Sequence, residues 1–92
     1  MHKQKMESAG TDGTPDYYYE GTEGRILWVE YKVYPNKPSA LQEFWILRAR
    51  NNGVRTWVAT QMPDRSVEIE MNKSLVKTDI DSYVRRIVDV LL

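Results

Sequence analysis

Arg25-Ile26-Leu27-Trp28-Val29-Glu30-Tyr31-Lys32-Val33 is the stretch that decides how this chain folds. Successive side chains of a strand leave opposite faces, so Ile26, Trp28, Glu30 and Lys32 share one face and Leu27, Val29, Tyr31 and Val33 the other. Both faces are largely apolar until Glu30, the pattern of a central strand covered on both sides. A carboxylate and an ammonium then emerge together at the end of that hydrophobic run. Burying either one alone costs several kcal/mol, so the pair is expected to be matched, hydrated or metal-bound.

Upstream, Tyr17-Tyr18-Tyr19-Glu20 has the aromatic composition of a strand, and Gly21-Thr22-Glu23-Gly24 reads as a turn. The two runs therefore predict a hairpin. Pro15-Asp16 opens its first strand, and antiparallel pairing would carry Asp16 towards Glu30. Residues 8–14 form a loop of turn-favouring types. Met1-His2-Lys3-Gln4-Lys5-Met6-Glu7 has basic residues with no apolar stretch behind them, which argues against a secretory signal. His2 is expected to be a disordered terminal residue.

Downstream, Tyr34-Pro35-Asn36-Lys37-Pro38 breaks the strand and Ser39 is suited to cap a helix that ends near Asn52, before Gly53. Leu41, Phe44, Trp45 and Arg48 fall at helical spacing, which predicts an aromatic face packed onto the sheet. Val54 to Thr60 reads as the next strand, making a strand, helix, strand crossover and hence a parallel pair. A weaker alternation at Val67-Glu68-Ile69-Glu70-Met71 precedes a terminal helix from about Asp79 to Leu92. Ile80, Tyr83, Val84, Ile87, Val88 and Leu91 give that helix its apolar side. The expected fold is α/β, a mixed β-sheet flanked by helices, in one domain spanning residues 1–92.

Composition narrows the function. The 92 residues are 41% hydrophobic and 28% charged, as in ordinary globular chains, and no apolar run approaches the roughly 18 to 20 residues needed to span a bilayer. No membrane association is expected, and a cytoplasmic location in a bacterial or phage-infected cell is. Without cysteine there is neither a disulfide frame nor a thiolate zinc site. Thirteen basic residues balance thirteen acidic ones, so any nucleic-acid contact has to come from a local basic surface.

Asp16, Glu30 and Lys32 are the residue types that phosphodiester hydrolysis needs. Two carboxylates hold a hard divalent cation, and a lysine orients a water or stabilises the developing charge. The simpler reading makes Glu30 and Lys32 an ion pair and Asp16 a turn residue. The aromatic residues at 17–19, 28, 45 and 57 are more simply core than base-stacking platforms. Arg48, Arg50 and Arg55, with Lys37, would make a basic rim near the site, or the wet face of a helix. Arg85 and Arg86 read as solvated or interfacial.

Taken in order, Gly13-Thr14-Pro15-Asp16, Trp28-Val29-Glu30-Tyr31-Lys32, Ser39-Ala40-Leu41-Gln42 and Gly53-Val54-Arg55 resemble the virus-type replication-repair nuclease (VRR-NUC) domain of the PD-(D/E)xK superfamily. The resemblance covers about residues 8–60. It implies a restriction-endonuclease-like core and DNA cleavage dependent on Mg²⁺, with Mn²⁺ able to substitute. The DNA would be branched: a flap or a four-way junction. It also implies that Asp16 and Glu30 are metal ligands with the Tyr31 carbonyl as a third, that Lys32 is the catalytic lysine, and that Gln42 reaches the site from the helix. Members of that family usually carry an acidic residue on a helix ahead of the Gly-x-Pro-Asp segment. Here few residues precede it, so Glu7, another subunit or water would complete the site.

Two other readings stand beside the nuclease. One is a non-catalytic DNA-binding or assembly module that keeps the fold; the other is an α/β interaction domain with no nucleic-acid role. A homodimer is expected whichever holds, because a small chain has little core to spare and the terminal helix has apolar surface in excess.

Overall fold

The computed structural model describes the backbone of His2–Lys5 and all of residues 17–92. Six strands form one sheet in sequence order: β1 (His2–Lys5), β2 (Tyr17–Glu20), β3 (Ile26–Val33), β4 (Arg55–Gln61), β5 (Val67–Glu70) and β6 (Leu75–Thr78). Only β3 and β4 run parallel; each of the other neighbouring pairs is antiparallel. The parallel pair is joined by helix α1 (Ala40–Asn51), as a parallel connection requires, and helix α2 (Ile80–Leu91) follows β6. The mixed sheet, the hairpin and the crossover agree with expectation. Neither described helix is long and apolar enough to cross a membrane.

The main core lies between the sheet and α2. Leu27 and Val29 of β3, Trp57 and Ala59 of β4, and Val67 and Ile69 of β5 meet Tyr83, Ile87 and Leu91, which recur every fourth residue along α2. The hairpin turn locks the far end of this helix. Thr22 Oγ1 donates to the carbonyls of Leu91 and Leu92, and Arg25 Nη1 donates to Leu92 O at 2.6 Å, which satisfies carbonyls that a helix end leaves open. Gly21 is required at this junction, because a Cβ there would overlap the backbone of Leu91.

The opposite face of the sheet is covered by α1. Ser39 Oγ accepts the main-chain N–H of Gln42 at 3.1 Å, and Gln42 Oε1 accepts that of Ser39 at 2.9 Å, a reciprocal cap that fixes where the helix starts. Gly53, at φ +83°, ends it in the left-handed region that favours glycine. The side facing the sheet is Gln42, Ile46 and Ala49, and this overturns the aromatic face expected from spacing. Leu41 and Phe44 are exposed at 49% and 55%, while Arg48 is exposed and stacks over the half-buried Trp45 ring. The cap is the physical reason. Holding Gln42 towards β3 turns the aromatic stripe about 100° aside, the angle of a single helical residue.

Two strands are additions to the sequence reading. β1 places His2 in register with Glu20, where a disordered terminus was expected. β6 was unassigned; it forms the other edge and is exposed or half-buried throughout.

Candidate active site

The face of β3 that α1 covers is the one carrying Glu30 and Lys32. In the parallel register Glu30 pairs with Val58 and Lys32 with Thr60. Glu30 is fully buried, and desolvation of an ionised carboxylate at such a place has to be offset locally. Two donors converge on the same oxygen. Lys32 Nζ lies 2.8 Å from Glu30 Oε2, and Gln42 Nε2 donates to that atom, also at 2.8 Å. The Lys32 side chain keeps 20% of its surface exposed, so its charge sits between the buried carboxylate and solvent.

Gln42 has both ends of its amide committed. Its oxygen caps α1 at Ser39 and its nitrogen holds Glu30, so the start of the helix and the carboxylate are positioned by a single side chain. Of the sequence-assigned residues, Glu30, Lys32 and Gln42 are thus brought together. Tyr31 points away: its hydroxyl donates to Gln61 Oε1 at 3.1 Å, and its ring lies 6.3 Å from that of Tyr83 on the α2 side. Burial, and then the neighbouring Tyr17, push its phenol upward, so it stays a protonated donor. Only the main chain of Tyr31 is left to serve as a ligand. Asp16 and Glu7 lie outside the described residues.

Among the described pairings, β2 joins β3 over Ile26–Val29 alone. Of the described strands, β4 alone pairs with β3 from Glu30 onward. Trp28, two residues before Glu30 on the same face, carries a buried indole N–H with no acceptor among the described residues. Composition alone marks Trp28 as core; its parity with Glu30 is the sequence signal that places it beside the site. Among the described residues no three of His, Cys, Asp and Glu cluster closely enough to hold a metal.

The basic rim assembles in part: Lys37 and Arg50 line one groove with Val58 and Thr60, the strand partners of Glu30 and Lys32. Arg50 is tied to the Thr56 carbonyl at 2.9 and 3.1 Å and to Glu70 Oε1 at 3.2 Å. Arg55 pairs with Leu27, three positions before Glu30, and faces a different cavity. The groove at Lys37, of about 550 Å³ beside α1, also takes in the acidic Glu43 and Glu68.

No protein-family model and no curated protein matches the chain. Among solved structures it is similar to that of Archaeoglobus fulgidus Hjc, a Holliday junction resolvase from an archaeal hyperthermophile. The identity is 19% and the TM-score 0.57, over 91% of this chain and 77% of that one. The fold is restriction-endonuclease-like, as expected. This likeness does not single out the VRR-NUC family within that fold.

Proposed function

We propose that the chain is a metal-dependent endonuclease that hydrolyses DNA phosphodiester bonds, acting on branched DNA such as a flap or four-way junction. The observation that carries this reading is the fully buried carboxylate of Glu30, gripped through one oxygen by Lys32 and Gln42 at the end of a central strand. A core residue does not need this arrangement, and apolar side chains of similar size would be at least as stabilising. The fold it shares with a Holliday junction resolvase supports the choice of substrate class.

The described residues offer one carboxylate, Glu30, and the main-chain carbonyl of Tyr31 to a cation, so the metal reading rests on Asp16 as well. Asp16 immediately precedes Tyr17, which pairs with Val29; carried back by one residue, this register would set Asp16 opposite Glu30. Asp16, Glu30 and the Tyr31 carbonyl would then form an oxygen set suited to Mg²⁺ or Mn²⁺. Bound there, the ion would polarise the scissile phosphate and acidify a water. Lys32 would orient that water and stabilise charge developing on the phosphate, and Gln42 would keep the Glu30 carboxylate in place.

The protein would act as a homodimer through α2. Tyr83, Ile87 and Leu91 are consumed by the core, but Ile80 and Val84 remain exposed at 43% and 50%, with Val88 half-buried on the same side. The second reading, a non-catalytic DNA-binding or assembly module, has the same fold and lacks turnover. Incubating labelled junction, flap and linear duplex with Mg²⁺, Mn²⁺ or chelator separates the two. Metal-dependent incision of the branched forms is expected, and DNA binding without incision would leave the second reading.

A further inference from the structure

A second cavity, of about 670 Å³, opens where β4 begins, between the end of α1 and the later part of α2. Its lining includes Arg50, Arg55, Lys73 and Arg86, with Trp57 at its side and Asp89 as an acid. Arg50 is spoken for: its side chain is 8% exposed and paired with Glu70. Arg55, Lys73 and Arg86 are different. All three are exposed, and none makes an ion pair with a described residue, although Asp89 lines the same cavity. They come from a strand start, a turn and a helix, so folding has gathered three like charges that are far apart in sequence. Helix dipoles do not account for this, because α2 has no basic residue in its last turn and the other two are not helical.

We infer that this cavity is a second phosphate-binding site, which takes the backbone of a nucleic-acid arm other than the strand held at Glu30. The identity of the polyanion rests on the nuclease reading above. Two guanidinium forks and one ammonium suit phosphate oxygens: the arginines bind in pairs of hydrogen bonds and the lysine as a point charge. Arg55 pairs with Leu27, three positions before Glu30 and of opposite parity, so it lies about 10 Å back along the strand at ~3.3 Å per residue, and its side chain leaves the α2 face where Glu30 and Lys32 leave the α1 face. An arm held here would fix the direction in which the branch point is presented, without touching the reacting phosphate.

The test uses the full chain, a four-way junction, a linear duplex and inorganic tripolyphosphate, with affinity measured against salt in the presence of chelator. The variant R55A/K73A/R86A should bind the junction at least tenfold more weakly than wild type at low salt. Its plot of log affinity against log salt should be shallower by about 2 to 3, since each phosphate contact contributes roughly 0.9 to that slope. Melting temperature should be unchanged, and R55K/R86K should retain the wild-type slope. A wild type that binds DNA and a triple variant of equal affinity and slope would overturn the second site and leave the nuclease reading standing. A wild type that binds no DNA would remove both, and binding of tripolyphosphate alone would overturn the backbone assignment.

Discussion

Gln42 Nε2 donates to Glu30 Oε2 at 2.8 Å while the Oε1 of the same amide caps the helix at Ser39. Substitution can separate these two duties. Gln42→Glu keeps an acceptor suited to the cap but sets a second carboxylate against the buried one, whereas Gln42→Ala loses both contacts. Gln42→Glu should retain α1, lose stability at neutral pH and recover it in mild acid. Gln42→Ala should lose about 1 to 3 kcal/mol at every pH, the sum of a lost cap and a lost hydrogen bond to a charge. Denaturant melts at two pH values check both; equal melts for the two variants would show that the contact with Glu30 is immaterial.

Lys32→Ala removes the cation 2.8 Å from a carboxylate that is 0% exposed. Two losses are expected. Stability should fall by up to about 3 kcal/mol, because a buried charge has lost its ionic partner. Turnover should fall by about 10² to 10³, the cost of removing one group that stabilises charge in the transition state. Lys32→Arg should recover much of the stability. A Lys32→Ala protein with wild-type turnover would take this residue out of the mechanism.

How much of this was legible is clearest around β3. The period of two put Glu30 and Lys32 on one face, Ser39 followed by Gln42 marked the cap, and the crossover fixed a parallel partner. The face that α1 buries was not legible. Spacing favoured Leu41, Phe44 and Trp45, but packing chose Gln42, Ile46 and Ala49, because the amide that caps the helix also reaches Glu30. β6 escaped notice because it is a four-residue edge strand whose Leu75 is 66% exposed, which leaves little apolar contrast to read. The gathering of Arg55 with Lys73 and Arg86 depends on long-range topology and leaves no local pattern.

The exposed stripe on α2 makes the dimer testable. Val84→Glu places a charge at the centre of the proposed contact, on a side chain that the core does not use. Light scattering at tens of micromolar, roughly the range where a standard interface holds, should find a dimer for wild type and a monomer for Val84→Glu. Phe44→Glu, on the outer face of α1, should leave the dimer intact. A monomeric wild type, or a dimer that only Phe44→Glu dissolves, would move the interface away from α2.

Acid stability should follow two carboxylates, Asp79 at the start of α2 and Asp64 in the turn between β4 and β5. The main-chain N–H and side chain of Ser82 hold Asp79 below its ordinary value, and Ser66, with Lys77, does the same for Asp64. A group whose folded-state pKa is depressed stabilises the protein above the unfolded value of 3.8 and loses that contribution as pH falls through its folded value. The thermal midpoint should therefore hold from neutrality to about pH 4 and decline below it. In Asp64→Asn/Asp79→Asn the decline should be shallower; an unchanged acid limb would assign it to other carboxylates.

The central claim is that Glu30 is buried for chemistry rather than for folding, and the incision rate of Glu30→Gln on a four-way junction under single-turnover conditions with Mg²⁺ tests it most directly. The amide keeps the shape of the side chain and spares the core an ionised group, so this variant should melt no lower than wild type. Its incision should nonetheless fall to the level seen with chelator, at least about 10³ below wild type, if Glu30 holds the metal. A folded Glu30→Gln protein that incises at the wild-type rate would contradict the account.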